Sequence, residues 1–146
     1  MHYRFIMFVL FSFIIPVAGA QESKVLGTWF NDDETAHIRI FKATNGKFYG
    51  KIEWLKEDPD RLDVNNPDKV KQSEPLLGLM ILQGFEYEAS KLQWNRGTIY
   101  DPDNGKTYDC FMWFDDNPDM LSIKGYVLGM KFVGRETKWK RVKEQG

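Results

Sequence analysis

The chain has 146 residues, a formal net charge of −1, one cysteine and an aromatic fraction of 15%. This length suits one domain, and the near-neutral charge argues against a nucleic-acid-binding protein. A single cysteine excludes an intrachain disulfide framework and a zinc site built from several cysteines. The hydrophobic fraction of 42% excludes a disordered chain.

The first 20 residues have the layout of a secretory signal peptide. Arg4 carries a positive charge, an apolar run follows from Phe5 to Ile15, and Ala18-Gly19-Ala20 supplies the small residues of a cleavage site. The alternative is a transmembrane anchor, but the run is shorter than the roughly 20 residues that span a bilayer. We predict cleavage after Ala20, export to the periplasm or the extracellular space, and no membrane span in the cleaved chain.

The predicted mature domain, residues 21–146, is mildly acidic and rich in aromatic residues. It has 126 residues, a net charge of −2 and 17 of the 22 aromatic residues. From Gly27 onward, apolar and polar residues alternate with a period of two, and turn residues interrupt the pattern. The pattern predicts strands over 27–30, 36–42, 48–55, 76–83, 85–90, 94–100, 106–114, 121–127 and 132–142.

These strands predict an all-β domain, an antiparallel up-and-down barrel of about eight strands with short connections. A barrel of this size either fills its interior with side chains or holds one small ligand. One connection is much longer than the others: residues 56–75 are polar and show no clean period. Loops of this length are often functional or poorly ordered.

Two features resemble the lipocalins and the wider calycin superfamily. Gly27 and Trp29 open the first strand, and an arginine, either Arg135 or Arg141, lies on the last. In calycins a tryptophan closes one end of the barrel and a late arginine packs over it, which a cation–π contact explains physically.

A broader set of motifs resembles a secreted bacterial family, the domain of unknown function numbered 2147. These motifs occur in order along nearly the whole mature chain: Gly27-Thr28-Trp29, Phe48-Tyr49-Gly50-Lys51-Ile52, Asn66-Pro67-Asp68, 75–82, 97–108, 121–126 and 134–139. The resemblance implies a calycin-like barrel outside the cytoplasm. It implies no activity and transfers no catalytic residue.

Candidate chemical groups are few in the mature chain. His37 is its only histidine and alternates with Ile38 and Ile40, which favours a solvated surface position over a general base. Cys110 lies in mid-strand without a cationic neighbour, which favours a buried thiol; an intermolecular disulfide is a minor alternative. We predict no cofactor.

Acidic turns of Asx-Pro-Asp form recur along the chain. The loop ligands Asp58, Asp60, Asp63, Asn65 and Asp68 would offer calcium many hard oxygen atoms. The glycine and glutamate spacing of an EF-hand is missing, and proline with Asx side chains is common turn chemistry. Turn chemistry therefore accounts for these residues, and we predict no metal site, with calcium binding by this loop left open.

The aromatic residues are the strongest functional indication. They either fill the barrel or line a pocket with a few polar anchors. On 106–114, Tyr108, Cys110, Met112 and Phe114 share one face, while Phe111 and Trp113 share the other. The candidate pocket lining comprises Trp29, Phe48, Trp54, Trp94, Tyr108, Phe114, Tyr126, Arg135 and Trp139.

These observations favour an exported, non-enzymatic protein that binds a small apolar or amphipathic ligand in a barrel. One alternative is an envelope enzyme that acts on saccharide through loop carboxylates with His37 or tyrosines. That alternative predicts a cleft where the loop carboxylates meet His37. Another is an interaction module without a pocket, which would use an exposed aromatic face. The sequence leaves the oligomeric state open.

Overall fold

The computed structural model describes residues 18–143. The predicted signal peptide, 1–20, therefore lies outside the described residues except for its last three. A short helix, α1 (Ala18–Glu22), and a 3-10 turn, Ser23–Val25, precede the first strand. No helix among the described residues is both long and apolar enough to cross a bilayer.

Eight antiparallel strands close into a barrel in which each strand pairs with its sequence neighbours and the last pairs with the first. The predicted all-β, up-and-down barrel is thus confirmed. The strands are β1 (Gly27–Phe30), β2 (Ala36–Lys42), β3 (Phe48–Leu55), β4 (Met80–Glu88), β5 (Gln93–Asp101), β6 (Lys106–Phe114), β7 (Met120–Tyr126) and β8 (Gly134–Arg141).

The segments predicted as separate strands over 76–83 and 85–90 form one strand, β4. Gly84 adopts a positive φ of 74° in its middle, yet the register with β5 is the same on both sides of it. Residues 76–79 form a turn, in which the Gly78 amide donates to the Ile52 carbonyl at 2.8 Å. Leu76 is buried there, so the run is apolar on both faces without being a strand.

The two ends of the barrel differ in their connections. The N-terminal segment and the connections β2–β3, β4–β5 and β6–β7 lie at one end, which we call the closed end. The connections β1–β2, β3–β4, β5–β6 and β7–β8 lie at the other, which we call the open end. The long connection, residues 56–79, belongs to the open end.

Large aromatic side chains fill the closed end. Trp29 and Trp94 contact Phe114 from two sides, with ring centroids 5.8 and 5.6 Å away, and Phe48 meets Trp94 edge-on. Trp29, Phe48, Phe85 and Trp94 are essentially inaccessible to solvent. Burial of such large side chains is a main source of stability in a small domain, and their rings fill the barrel interior at this end.

Candidate ligand-binding site

A cavity of about 430 Å³ occupies the open half of the barrel. This volume lies within the range of small-molecule sites, roughly 300–1,000 Å³. Aliphatic side chains from five strands and the long loop form much of its wall: Ala36, Ile38, Ile52, Leu55, Leu76, Ile81, Ile99 and Ile123.

Side-chain size explains why the cavity ends where it does. Gly125 of β7 lies among its lining residues, and a Cβ placed there would meet Ile99 at 3.5 Å and Tyr108 at 3.6 Å, which is ordinary contact. At the closed end the same interior is filled by tryptophan and phenylalanine. The barrel is therefore packed at one end and hollow at the other.

Polar side chains form the rim of the cavity. Arg135 at the start of β8 pairs with Asp32 of the β1–β2 connection at 2.8 Å, and Arg61 of the long loop pairs with Asp103 at 2.6 Å. The carboxamide oxygen of Asn31 accepts the amides of Thr35 and Ala36, which shapes the β1–β2 connection. The lining thus combines apolar walls with charged groups at the opening.

A buried carboxylate fixes the long loop to the barrel wall. Asp63 is 1% exposed. One of its carboxylate oxygens accepts a hydrogen bond from the Tyr100 hydroxyl and the other from the side-chain carboxamide of Asn66, each at 2.7 Å. Burial and this hydrogen bond raise the pKa of Tyr100 to about 12, because both favour the neutral phenol.

A second contact joins the long loop to the β5–β6 turn. The Asn65 carboxamide donates to the carbonyls of Pro102 and Asp103 at 3.0 and 3.1 Å. A Cβ on Gly105 would overlap the Asn65 carbonyl, and Gly105 also has a positive φ of 70°. Glycine is therefore required for the close approach of the two segments.

A family model described as "Uncharacterized protein conserved in bacteria (DUF2147)" matches residues 27–141. The chain belongs to this family. The match confirms the family resemblance inferred from the motifs. A search of curated proteins gave no match.

Among solved structures, the DUF2147 barrel is similar to protein HP1028 from the human pathogen Helicobacter pylori, which is described as belonging to the lipocalin family. The TM-score is 0.72 at 20% sequence identity, over 82% of this chain and 84% of that one. The likeness confirms the lipocalin-like fold. Its identity is too low to transfer anything beyond the fold.

The nine predicted pocket residues separate into three groups in this DUF2147 barrel. Four lie among the cavity-lining residues: Tyr108, Tyr126, Arg135 and Trp139. Four belong to the aromatic packing of the closed end: Trp29, Phe48, Trp94 and Phe114. The ninth, Trp54, lies on the outer face, 39% exposed and 4.3 Å from the His37 ring.

Much of the cavity wall is aliphatic, whereas the predicted pocket lining consists of aromatic residues and one arginine. Ile38, Ile52, Ile99 and Ile123 line the cavity. Their alternation with polar neighbours predicts one common face for each strand. The alternation does not say which inward-facing side chains pack at the closed end and which line the cavity at the open end.

The two faces of β6 are now assigned. The face that carries Tyr108 points into the barrel. Phe111 and Trp113 lie on the opposite, outer face, where their rings stack with centroids 5.1 Å apart. The Lys131 ammonium lies over the Phe111 ring, 5.2 Å from its centroid. The same ammonium lies 6.0 Å from the ring centroid of Tyr126, a cavity-lining residue.

His37 lies on the outer face, between the rings of Phe30 and Trp54, at 4.4 and 4.3 Å. Its buried Nε2 has no hydrogen-bond partner, and burial lowers the pKa of the imidazole, opposed by the nearby Glu53 carboxylate. Cys110 is fully buried, and burial raises the pKa of its thiol.

The acidic loop residues do not converge. Across residues 18–143, no group of three or more histidine, cysteine, aspartate or glutamate side chains is placed to hold a metal ion. Both carboxylate oxygens of Asp63 are engaged by Tyr100 and Asn66. One oxygen of Asp68 accepts the Val70 amide within its own turn.

Proposed function

We propose that the protein is an exported binding protein that holds a small apolar or amphipathic molecule in the open half of its barrel. The observation that carries this proposal is the cavity of about 430 Å³ with its aliphatic wall and charged rim. An apolar molecule gains free energy by leaving water for such a wall, and polar rim groups would orient its polar end.

Export is the second part of the proposal. It is supported by the N-terminal segment, in which a charged residue, an apolar run and a small-residue site occur in the order of a signal peptide. A carrier outside the cytoplasm would shield an apolar molecule from water. The mature N-terminus, Gln21, would then fall within the α1 segment, at the closed end and away from the cavity.

Binding is favoured over catalysis by the positions of the candidate catalytic groups. Of the described residues, Asp58, Asp60, Asp63, Asp68 and His37 are all absent from the cavity lining. His37 is held on the outer face by Phe30 and Trp54. A general base requires hydrogen-bond reach to a substrate proton, and none of these five candidate groups lines the cavity.

The experiment is a titration of the purified protein with N-phenyl-1-naphthylamine, a neutral apolar probe whose fluorescence rises in apolar surroundings. We expect saturable binding that Gly125→Leu reduces by about tenfold or more, since the added side chain occupies the space beside Ile99 and Tyr108. The melting temperature of the variant shows whether the barrel still folds.

The matched control is Thr107→Leu. Thr107 precedes cavity-lining Tyr108 on β6 and is exposed, so it faces outward. Leucine at this position therefore places the same side chain outside the cavity. Binding that is lost equally in both variants, or in neither, contradicts a ligand site in the cavity.

A further inference from the structure

We propose that the mouth of the cavity selects ligands by charge and prefers an amphipathic molecule with a cationic head group, such as an ammonium, over its anionic counterpart. This inference rests on the proposed binding function, because it assigns a ligand class to the same cavity. It follows from which charged groups stand at the opening and from how each one is engaged.

The charged residues that line the cavity are four aspartates and two arginines. Both arginines are already paired, Arg135 with Asp32 and Arg61 with Asp103. An anionic head group would therefore approach arginines whose positive charge is already largely balanced by an aspartate.

Two lining aspartates are left without a cation. Asp101 is engaged in its own turn, where it accepts the amide of Asp103 and the carboxamide of Asn104. Asp33 makes neither an ion pair nor a side-chain hydrogen bond with any residue in 18–143, and it is exposed at the rim. A cationic head group would find a free carboxylate at Asp33.

The segments around the opening also carry a net negative charge. The open-end segments 31–35, 56–79, 101–106 and 127–135 hold eleven acidic and seven basic residues. The closed-end segments 18–26, 42–47, 88–92, 115–119 and 140–143 hold five acidic and seven basic residues. Lys131, one of the seven basic residues of the open end, lies over the rings of Phe111 and of cavity-lining Tyr126, 5.2 and 6.0 Å from their centroids.

A cationic head group could be attracted by the rim carboxylates while it stays in contact with water. The apolar walls would hold the tail, while the head would stay at the rim, where Asp33 and Arg135 are exposed to water. At such an exposed position, opposite charges attract one another only weakly, because the effective dielectric constant is high. The preference should therefore be moderate at low ionic strength and should weaken as salt screens it.

The test measures displacement of bound N-phenyl-1-naphthylamine by three ten-carbon competitors below their micelle concentrations: decyltrimethylammonium, decanoate and decanol. We expect the cation to displace the probe at a concentration roughly three- to tenfold lower than the anion does at low ionic strength. Sodium chloride at 0.5 M should bring the two close together.

The variant Asp33→Asn should reduce the ratio between cation and anion, while decanol should compete as it does with the unmodified protein. The matched control is Asp116→Asn, which removes the same charge from an exposed position at the closed end and should leave the ratio unchanged.

Equal or stronger competition by decanoate, or equal effects of the two variants, overturns the inference while decanol competition still supports the cavity as a binding site. Absence of binding by the neutral probe and by decanol overturns the proposed function together with the inference.

Discussion

Arg141 lies over the indole of Trp29, with its guanidinium carbon 4.1 Å from the ring centroid. The same guanidinium donates to the carbonyls of Lys24 at 2.7 Å, Leu26 at 2.9 Å and Pro118 at 3.1 Å. One side chain thus joins the N-terminal segment, β1 and the β6–β7 connection. The sequence pointed to Arg135 or Arg141 for this role, and the structure assigns it to Arg141.

Replacement of Arg141 should destabilise the closed end. We expect Arg141→Ala to lower the free energy of unfolding by about 2–4 kcal/mol, since a cation–π contact and hydrogen bonds from a charged donor are lost together. Arg141→Lys should recover little, because an ammonium cannot reproduce the planar fork of donors. Urea unfolding measures both, and Lys140→Ala, at an exposed neighbouring position, should change stability by less than about 0.5 kcal/mol.

Tyr100→Phe should loosen the long loop and remove a pH dependence. The loss leaves one oxygen of buried Asp63 unsatisfied, at a cost of about 1–3 kcal/mol near neutral pH. The pKa of Tyr100 rises from 10.0 to about 12 in the folded protein, so its contribution is complete below pH 10 and is lost as pH rises toward 12.

Melting temperatures at pH 8 and at pH 11 measure both effects of Tyr100→Phe. The deficit of the variant relative to the unmodified protein should shrink at the higher pH. A deficit that stays constant or grows would contradict the assigned hydrogen bond.

Two inward-facing glycines should differ sharply in their tolerance of alanine. At Gly97 a Cβ would overlap the ring of Phe85, whereas at Gly125 it would make ordinary contact with Ile99. We expect Gly97→Ala to cost about 1–3 kcal/mol through overpacking and Gly125→Ala to cost less than 1 kcal/mol. Thermal unfolding of the two variants is the measurement, and equal losses would argue against a barrel that is packed at one end and hollow at the other.

His37 should make the protein less stable in mild acid. Its pKa lies below the ordinary 6.5 because burial disfavours the charged imidazole. Between 6.5 and this lower value the unfolded chain binds the proton and the folded protein does not, so stability falls as pH falls through that window. His37→Phe should remove this slope.

NMR titration of the His37 ring protons measures the pKa directly, since His37 is the only histidine in residues 18–143. A value at or above 6.5, or an unchanged acid slope in His37→Phe, would show that the rings of Phe30 and Trp54 do not shield the imidazole.

Turn chemistry made several strand boundaries readable from the sequence. Residues 27–30, 36–42, 48–55 and 106–114 coincide with β1, β2, β3 and β6, because Asx, glycine and proline residues delimit the alternating segments. The prediction divided β4 and extended it into 76–79. Gly84 interrupts the alternation without ending the strand, which explains the division. Leu76 is buried although it lies in a turn, which explains why the prediction extended the strand into 76–79.

The candidate site was less accessible to sequence reasoning. Alternation groups Tyr108 with Cys110 and Met112 but does not say whether that face points inward, because a one-residue change of register exchanges the two faces of a strand. Alternation also cannot say which of Trp29 and Trp139, both inward-facing aromatic residues of the barrel, lines the cavity. One is packed at the closed end and the other lines the cavity.

Fold class and family were accessible from the sequence, because they depend on local alternation, turn residues and ordered motifs. The N-terminal leader stays a prediction. Three features required the tertiary structure: which aromatic rings pack and which border empty space, that Arg141 covers Trp29, and that Asp63 ties the long loop to Tyr100. Those features depend on contacts between residues far apart in the chain, such as Asp63 and Tyr100. The distribution of side-chain volume along the closed barrel then fixes where a ligand can fit.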